Sequence, residues 1–347
     1  MFKTPTTLGL LIILKYSSQC LPPSFDNVLI TVNEKDEKIS GCITPDTLKF
    51  KGEVAKISAV NQNIPDLNRG AVRDISTKFN IDFSRNNIDI IREEAFLNLS
   101  GLEQIDLSKN NIIWIGENAF VNLPTLRLLD LAYNKISVSS RAFNNLPELR
   151  VIDLSDNNLD SFDQSWFYRT PRLDSISFRL NRLRSIPRAA FINLPSIEYL
   201  YFHSNKIEDI HPDAFKGLRN LRLLVISENR VKSFEINFHT PSELGAVGIQ
   251  FNNITYISDK MLEMIRPNLR SFWITGNPWQ CGCFDKLINW SIKNRVTISF
   301  VCLQYEYVCV YPKTNPYQCL EREDADFYNG FSNNFGNETK CKPHWSK

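Results

Sequence analysis

Leu102-Glu103-Gln104-Ile105-Asp106-Leu107-Ser108-Lys109-Asn110 decides the fold. Apolar residues stand at 102, 105 and 107, and an asparagine closes the stretch. The pattern L-x-x-L-x-L-x-x-N returns in both directions. Leu126, Leu129, Leu131 and Asn134 repeat it, as do Leu173, Ile176, Phe178 and Asn181. Closing asparagines stand at 86, 110, 134, 157, 181, 205, 229, 252 and 277, spaced 23 to 25 residues apart. After each asparagine the pattern usually runs on to a phenylalanine, at 96, 120, 143, 167, 191, 215 and 238, with Leu262 in the next copy. A degenerate copy precedes the set, where Gln62 replaces the asparagine. Repeats of this period mean stacked supersecondary units.

Within x-L-x-L-x, alternate side chains point to opposite faces of a short strand. The apolar ones face inward. One coil cannot bury its apolar side alone, so neighbouring coils stack and share a core. The asparagine amide suits the turn after the strand, because it both donates and accepts. The phenylalanines are expected to pack between coils on the outer side. Copies one residue short lose it between asparagine and phenylalanine, so strand register is kept.

These motifs resemble leucine-rich repeats, in the 24-residue form common in extracellular animal proteins. Secreted arthropod proteins of this type, Toll-like receptor ectodomains and Slit-type guidance proteins are similar. The resemblance spans 54–277. It implies an α/β solenoid, a curved horseshoe with a concave parallel β-sheet and about ten coils. Disulfide-stabilised caps are expected at both ends, because an open solenoid end exposes its core. It further implies ligand recognition through the concave face.

The eight cysteines fall outside the repeats. Cys20 and Cys42 lie in the expected N-terminal cap, 19–53. The family's usual N-terminal cap has four cysteines, and this one has two. Asn277-Pro278-Trp279-Gln280-Cys281-Gly282-Cys283 resembles the opening of a leucine-rich-repeat C-terminal cap, expected over 278–320. Phe284, Leu287, Ile288 and Ile292 follow helical spacing and are expected to cover the last coil. The family cap implies that Cys281 and Cys283 each reach forward to a later cysteine. Cys302, Cys309, Cys319 and Cys341 complete the set. Six cysteines allow fifteen connectivities, so spacing does not choose. The expectation is Cys319 for one of the pair, with Cys341 holding the polar tail, 321–347. No Cys or His sits at zinc spacing, so no metal is expected.

Lys3 and the apolar run Leu8–Leu14 read as a signal peptide over 1–18, cut after Ser18 or after Cys20. A cut after Ser18 keeps an even number of cysteines. No other apolar run approaches the ~20 residues that span a bilayer. The expectation is a secreted, extracellular chain with no membrane span. The formal charge is +2, from 40 basic and 38 acidic residues. Lys3 and Lys15 account for the excess, so the mature chain is balanced. A neutral chain lacks a chain-wide footprint for nucleic acid. Asn98, Asn253, Asn289 and Asn337 open N-glycosylation sequons. The first three are expected to be exposed.

The four histidines, 203, 211, 239 and 344, fall in different settings. No catalytic serine elbow, phosphate loop or dinucleotide fingerprint is present. No enzyme activity and no cofactor are expected. The outward positions of the strands carry the information. The central ones read Asp82, Asp106, Asp130 and Asp153, then Ser177, Tyr201, Val225, Gly248 and Trp273. L-D-L is near-default for the family, so the acidic half is unremarkable. The later half departs from the default. Arg179, Tyr199, Tyr201, His203, Leu223, Val225 and Trp273 are the candidate ligand-binding residues. Exposed aromatic and apolar groups gain stability when covered, and Tyr, Trp and Arg dominate binding hot spots. Coverage by one another, or of Trp273 by the cap, is the alternative. The function expected is recognition of a protein or glycan, in innate immunity or cell-surface signalling, by a monomer or weak dimer. A matrix or structural component, or a secreted enzyme inhibitor, also suits the fold.

Overall fold

The computed structural model describes residues 22–49, 52–137, 141–238, 243–299, 309–311 and 318–321. The expected leader, Cys20, Cys302, Cys341 and Asn337 lie outside them. The chain divides into two compact units, Met1–Asp153 with Ser165–Pro171, and Leu154–Gln164 with Arg172–Lys347.

The first unit opens on an antiparallel hairpin, Phe25–Val32 and Lys35–Gly41. Asn33 and Glu34 join its strands with φ of 46° and 69°. Two left-handed residues give a turn whose twist matches a hairpin. The Asn33 side chain also ties the hairpin to the repeats. Its Oδ1 accepts from the Ala55 and Lys56 amides at 2.8 and 2.9 Å. The hairpin's first strand pairs antiparallel with Lys56–Ser58 and so covers the edge of a parallel sheet. That sheet continues through Phe79–Asp82, Leu102–Asp106, Leu128–Asp130 and Val151–Asp153. Ile57, Ile81, Ile105, Leu129 and Ile152 stand in register and are fully buried or nearly so.

The second unit repeats the plan. Ser175–Ser177, Tyr199–Tyr201, Leu223–Val225, Ala246–Gly248, Ser271–Trp273 and Thr297–Ser299 pair in parallel. Ile176, Leu200, Leu224, Val247 and Phe272 form the inward row.

The asparagine ladder holds the turns in both units. Asn134 Nδ2 donates to the Leu131 carbonyl of its own coil at 3.0 Å and to the Leu107 carbonyl of the preceding coil at 3.1 Å. Its counterpart Asn229 donates to Ile226 at 3.0 Å and Phe202 at 2.9 Å. Each Oδ1 accepts a backbone N–H, Ile112 for Asn134 and Ile207 for Asn229. Ladder asparagines such as these are buried, and burial without partners would be costly. The phenylalanines form the outer spine. Phe96 and Phe120 stack at 5.3 Å in the first unit, Phe191 and Phe215 at 5.8 Å in the second.

The helix Cys281–Asn294 caps the second unit. Cys281 is bonded to Cys309 and Cys283 to Cys319. Cys42 is also disulfide-bonded. A Cβ on Gly282 would stand 2.6 Å from the Gln318 carbonyl carbon, so the crossing backbone needs a glycine between the two cysteines. Lys286 ties the cap at two points, to Asp259 at 2.9 Å and Glu321 at 2.8 Å. Burial lowers its pKa, but these two hydrogen bonds outweigh that and raise it. One expectation fails on this helix. Its buried line is Cys283, Leu287 and Ser291, spaced four apart, and this turns Ile292 outward to 71% exposure.

Candidate ligand-binding face

Side chains between the inward rows point to the open face of each sheet. In the first unit this face is acidic, and its aspartates bond their own turns. Asp106 Oδ1 accepts the Ser108 amide at 2.9 Å, and Asp130 Oδ1 accepts the Ala132 amide at 2.9 Å. Asp82 takes the Ser84 hydroxyl at 2.8 Å and pairs with Lys56 at 3.1 Å. The aspartate of L-D-L thus caps the N–H two residues on, an Asx-type turn bond.

Their electrostatics differ along the row. Burial pushes the Asp82 carboxyl up, but its bonds from Ser84 and Lys56 outweigh burial and hold it below the ordinary value. Asp130 lacks such a cation bond. Burial, then the charges of Asp106 and Asp153, hold its carboxyl above the ordinary value, despite the Ala132 amide. Like charges about 5 Å apart across strands account for part of that rise.

In the second unit the same register carries no aspartate. Tyr199 stands beside Leu223, and Tyr201 between Ser177 and Val225. Val225 neighbours Gly248, and Gly248 neighbours Trp273. The two tyrosines, Leu223 and Trp273 are half-buried. Burial, and then Tyr199, raise the Tyr201 phenol pKa. Arg179 and His203 flank this cluster two residues after Ser177 and Tyr201, and both are half-buried.

Val225 is not open. It is only 9% exposed, although its position points outward. The reason lies at Gly248. A Cβ there would stand 2.9 Å from Trp273 Cε3, 2.9 Å from Gln250 Oε1 and 3.3 Å from Val225 Cγ1. The Trp273 ring therefore crosses the missing side chain toward Val225. Self-coverage accounts for Val225, and it leaves the tyrosines, Leu223 and one side of the indole facing out. Gly248 stands in the outward row read from the sequence but not among its candidate binding residues, and Gln250 is in neither. The signal was a glycine at an outward strand centre, where it weakens the strand unless something packs there.

A groove of about 860 Å³ lies elsewhere, on the outer turns of the first unit, beside Asn98, Asn122 and Asn145. None of its lining residues belongs to the open sheet face. Asn122 Nδ2 donates to Asn98 Oδ1 at 2.7 Å, and Asn98 Nδ2 to Asp74 Oδ1 at 3.1 Å. Asn98 and Asn289 are exposed, whereas Asn253 is half-buried, with its N–H bonded to the Val231 carbonyl of the preceding coil. Among the described residues no helix is long and apolar enough to cross a membrane, and no three His, Cys, Asp or Glu side chains cluster to hold a metal.

The sequence profile described as leucine rich repeat matches residues 80–136, 136–179, 147–207 and 171–231. A comparison with curated proteins returned no match. Among solved structures, human 5T4 (Wnt-activated inhibitory factor 1, trophoblast glycoprotein) is similar at a TM-score of 0.52 and 19% identity. That match covers 74% of this chain and 88% of 5T4. The TLR13–ssRNA13 complex is similar at a TM-score of 0.45 and 20% identity, over 58% of this chain. The match spans only 36% of the TLR13 chain.

Proposed function

We propose that this leucine-rich-repeat protein is a secreted, non-enzymatic recognition module that binds a protein partner through the open sheet face of its second unit. One observation carries the reading. Tyr199, Tyr201, Leu223 and Trp273 gather on that face, half-buried, with Arg179 and His203 beside them. The first unit's aspartates, by contrast, are engaged with their own turns. Covering aromatic and apolar surface stabilises a complex, and this residue set is the one enriched at hot spots. The disulfides support an oxidising compartment. Secretion and glycosylation of exposed Asn98 and Asn289 belong to the same proposal.

The test is affinity capture from extracellular fluid, run in parallel with wild type and the double variant Tyr201→Ala, Trp273→Ala. A partner retained by wild type and lost by the variant, with the melting temperature nearly unchanged, supports the reading. Equal retention by both refutes it.

A further inference from the structure

Residues 179–188 hold four arginines, at 179, 182, 184 and 188, and no acid. The repeat register spreads them over different surfaces. Arg182 and Arg184 stand one and three residues after the ladder asparagine Asn181, on the flank of the coil, and both are exposed. The next coils place Lys206 and Arg230 in line with Arg182. Backbone bonds from Arg182 to Leu159, Lys206 to Leu183 and Arg230 to Ile207, at 2.8, 3.0 and 2.8 Å, stack these coils directly. The spacing is therefore that of a hydrogen-bonded ladder, about 4.8 Å per coil.

The second row of the flank runs Asp160, Arg184, Glu208 and Lys232, so acids and cations alternate there before Lys232. The Arg184 carbonyl accepts the Glu208 amide at 2.9 Å, which sets that alignment. Glu208 pairs with Arg230 at 3.1 Å, and exposed Asp209 lies beyond it. Among the described residues, Arg182, Arg184 and Lys206 form no ion pair. Two coils thus hold three solvent-facing cations outside any ion pair: Arg182 and Lys206 adjoin in the first row, where no acid stands, and Arg184 lies beside them in the second. The same register in the first unit holds Asn63, Asn87 and Asn111 before Lys135, and Asn87 Nδ2 bonds Asn63 Oδ1 at 2.8 Å. Three amides precede one cation in the first unit's row, whereas Arg182, Lys206 and Arg230 stand consecutively between Asn158 and Asn253 in the second.

We propose that this flank of the second unit binds a linear sulfated polysaccharide. The site is separate from the open sheet face. Guanidinium forks match sulfate oxygens as they match phosphate, and cations at coil spacing track a chain that carries a charge on successive sugars. The compartment implied by the disulfides is where such polyanions are found. Single-stranded nucleic acid fits less well, because its binding needs aromatic platforms beside the cations. The two flank rows contain none.

The experiment uses the full secreted chain and heparin as probe, at about 0.15 M salt so that weak exposed contacts are screened. The triple variant Arg182→Ser, Arg184→Ser, Lys206→Ser is expected to lose affinity at least about tenfold, as three cations leave an anionic ligand. Its melting temperature stays put, since all three side chains are exposed. The charge-preserving pair Arg182→Lys, Arg184→Lys falls between wild type and the triple variant, because the charges stay while the forks are lost. The charge-matched control Lys78→Ser, Arg85→Ser, Lys109→Ser, all in the first unit, binds as wild type does. Desulfated heparin fails to compete. Absence of heparin binding by wild type, equal losses in the two triple variants, or competition by single-stranded RNA as strong as by heparin would each overturn the proposal.

Discussion

The two units share one skeleton and differ in what they lay over it. Asn134 and Asn229 make the same bonds to their own and the preceding coil. Phenylalanine stacks on phenylalanine behind both sheets. On the open face they part. The first unit's Asp106 and Asp130 turn their carboxylates onto the backbone two residues on. After Ser177, the second unit has Tyr201, Val225, Gly248 and Trp273 in that row, none of which can do so. On the flank, Asn87 bonds Asn63 in the first unit, while Arg182 and Lys206 face solvent in the second. A position whose side chain closes a local hydrogen bond is explained by the fold. One that departs from that default leaves its chemistry available to a ligand.

The shared skeleton predicts the largest effect. Asn134→Ala and Asn229→Ala each remove an amide donor shared among three carbonyls and leave one N–H, of Ile112 or Ile207, without its acceptor at a buried turn, at a cost of roughly 2 kcal/mol. Urea unfolding should report similar losses for both. A loss confined to one unit would break the claim that the ladder does the same work in each.

Gly248→Val probes the second unit's face. The new side chain meets the Trp273 ring and Val225 within the distances given above, so the indole must move. Overpacking of this kind costs about 2 kcal/mol. Trp273 fluorescence should shift with it. An unchanged spectrum and an unchanged melting temperature would mean that the ring does not rest on Gly248.

The smallest effects concern the aspartates, and their signs oppose. Asp82 has a lowered pKa, so its ionised form adds stability above the ordinary carboxylate pKa, lost as pH falls through the folded value. Asp82→Asn should therefore destabilise the protein at neutral pH and leave it unaffected in acid. Asp130 has a raised pKa, so its ionised form opposes folding above the folded value, and that penalty disappears as pH falls toward the ordinary value. Asp130→Asn keeps an acceptor for the Ala132 amide and should hold or raise stability at neutral pH. Melting curves from neutral to acid pH separate the two. Matching behaviour would contradict the electrostatic difference along the row.

Much of the fold was legible because the 24-residue period repeats. Each ladder asparagine, inward residue and spine phenylalanine was assigned by its place in the period, and register followed. The hairpin at 25–41 was not, since it lies outside the period. The alternation of Val28, Ile30 and Val32 before Asn33 was its only sign. The Cys281–Cys309 pairing was also hidden, because cysteine spacing leaves many connectivities open. Ile292 was misplaced, since helical spacing alone does not say which line of the helix meets the coil. At the candidate face the sequence placed Tyr199, Tyr201, Leu223 and Val225 on neighbouring strands. It did not show Trp273 reaching over Gly248 onto Val225, because that depends on a missing Cβ and a side-chain direction. The basic flank was visible only as an arginine-rich run until the coils aligned Lys206 and Arg230 with it.

The most direct measurement is the dissociation constant of the partner captured from extracellular fluid, determined for three proteins. They are wild type, Tyr201→Ala with Trp273→Ala in the second unit, and Asp106→Asn with Asp153→Asn in the first. The account predicts a loss of at least about tenfold for the aromatic pair, as for truncated hot spots, and an unchanged constant for the aspartate pair. Full affinity in the aromatic variant together with lost affinity in the aspartate variant would place recognition on the first unit and contradict the account.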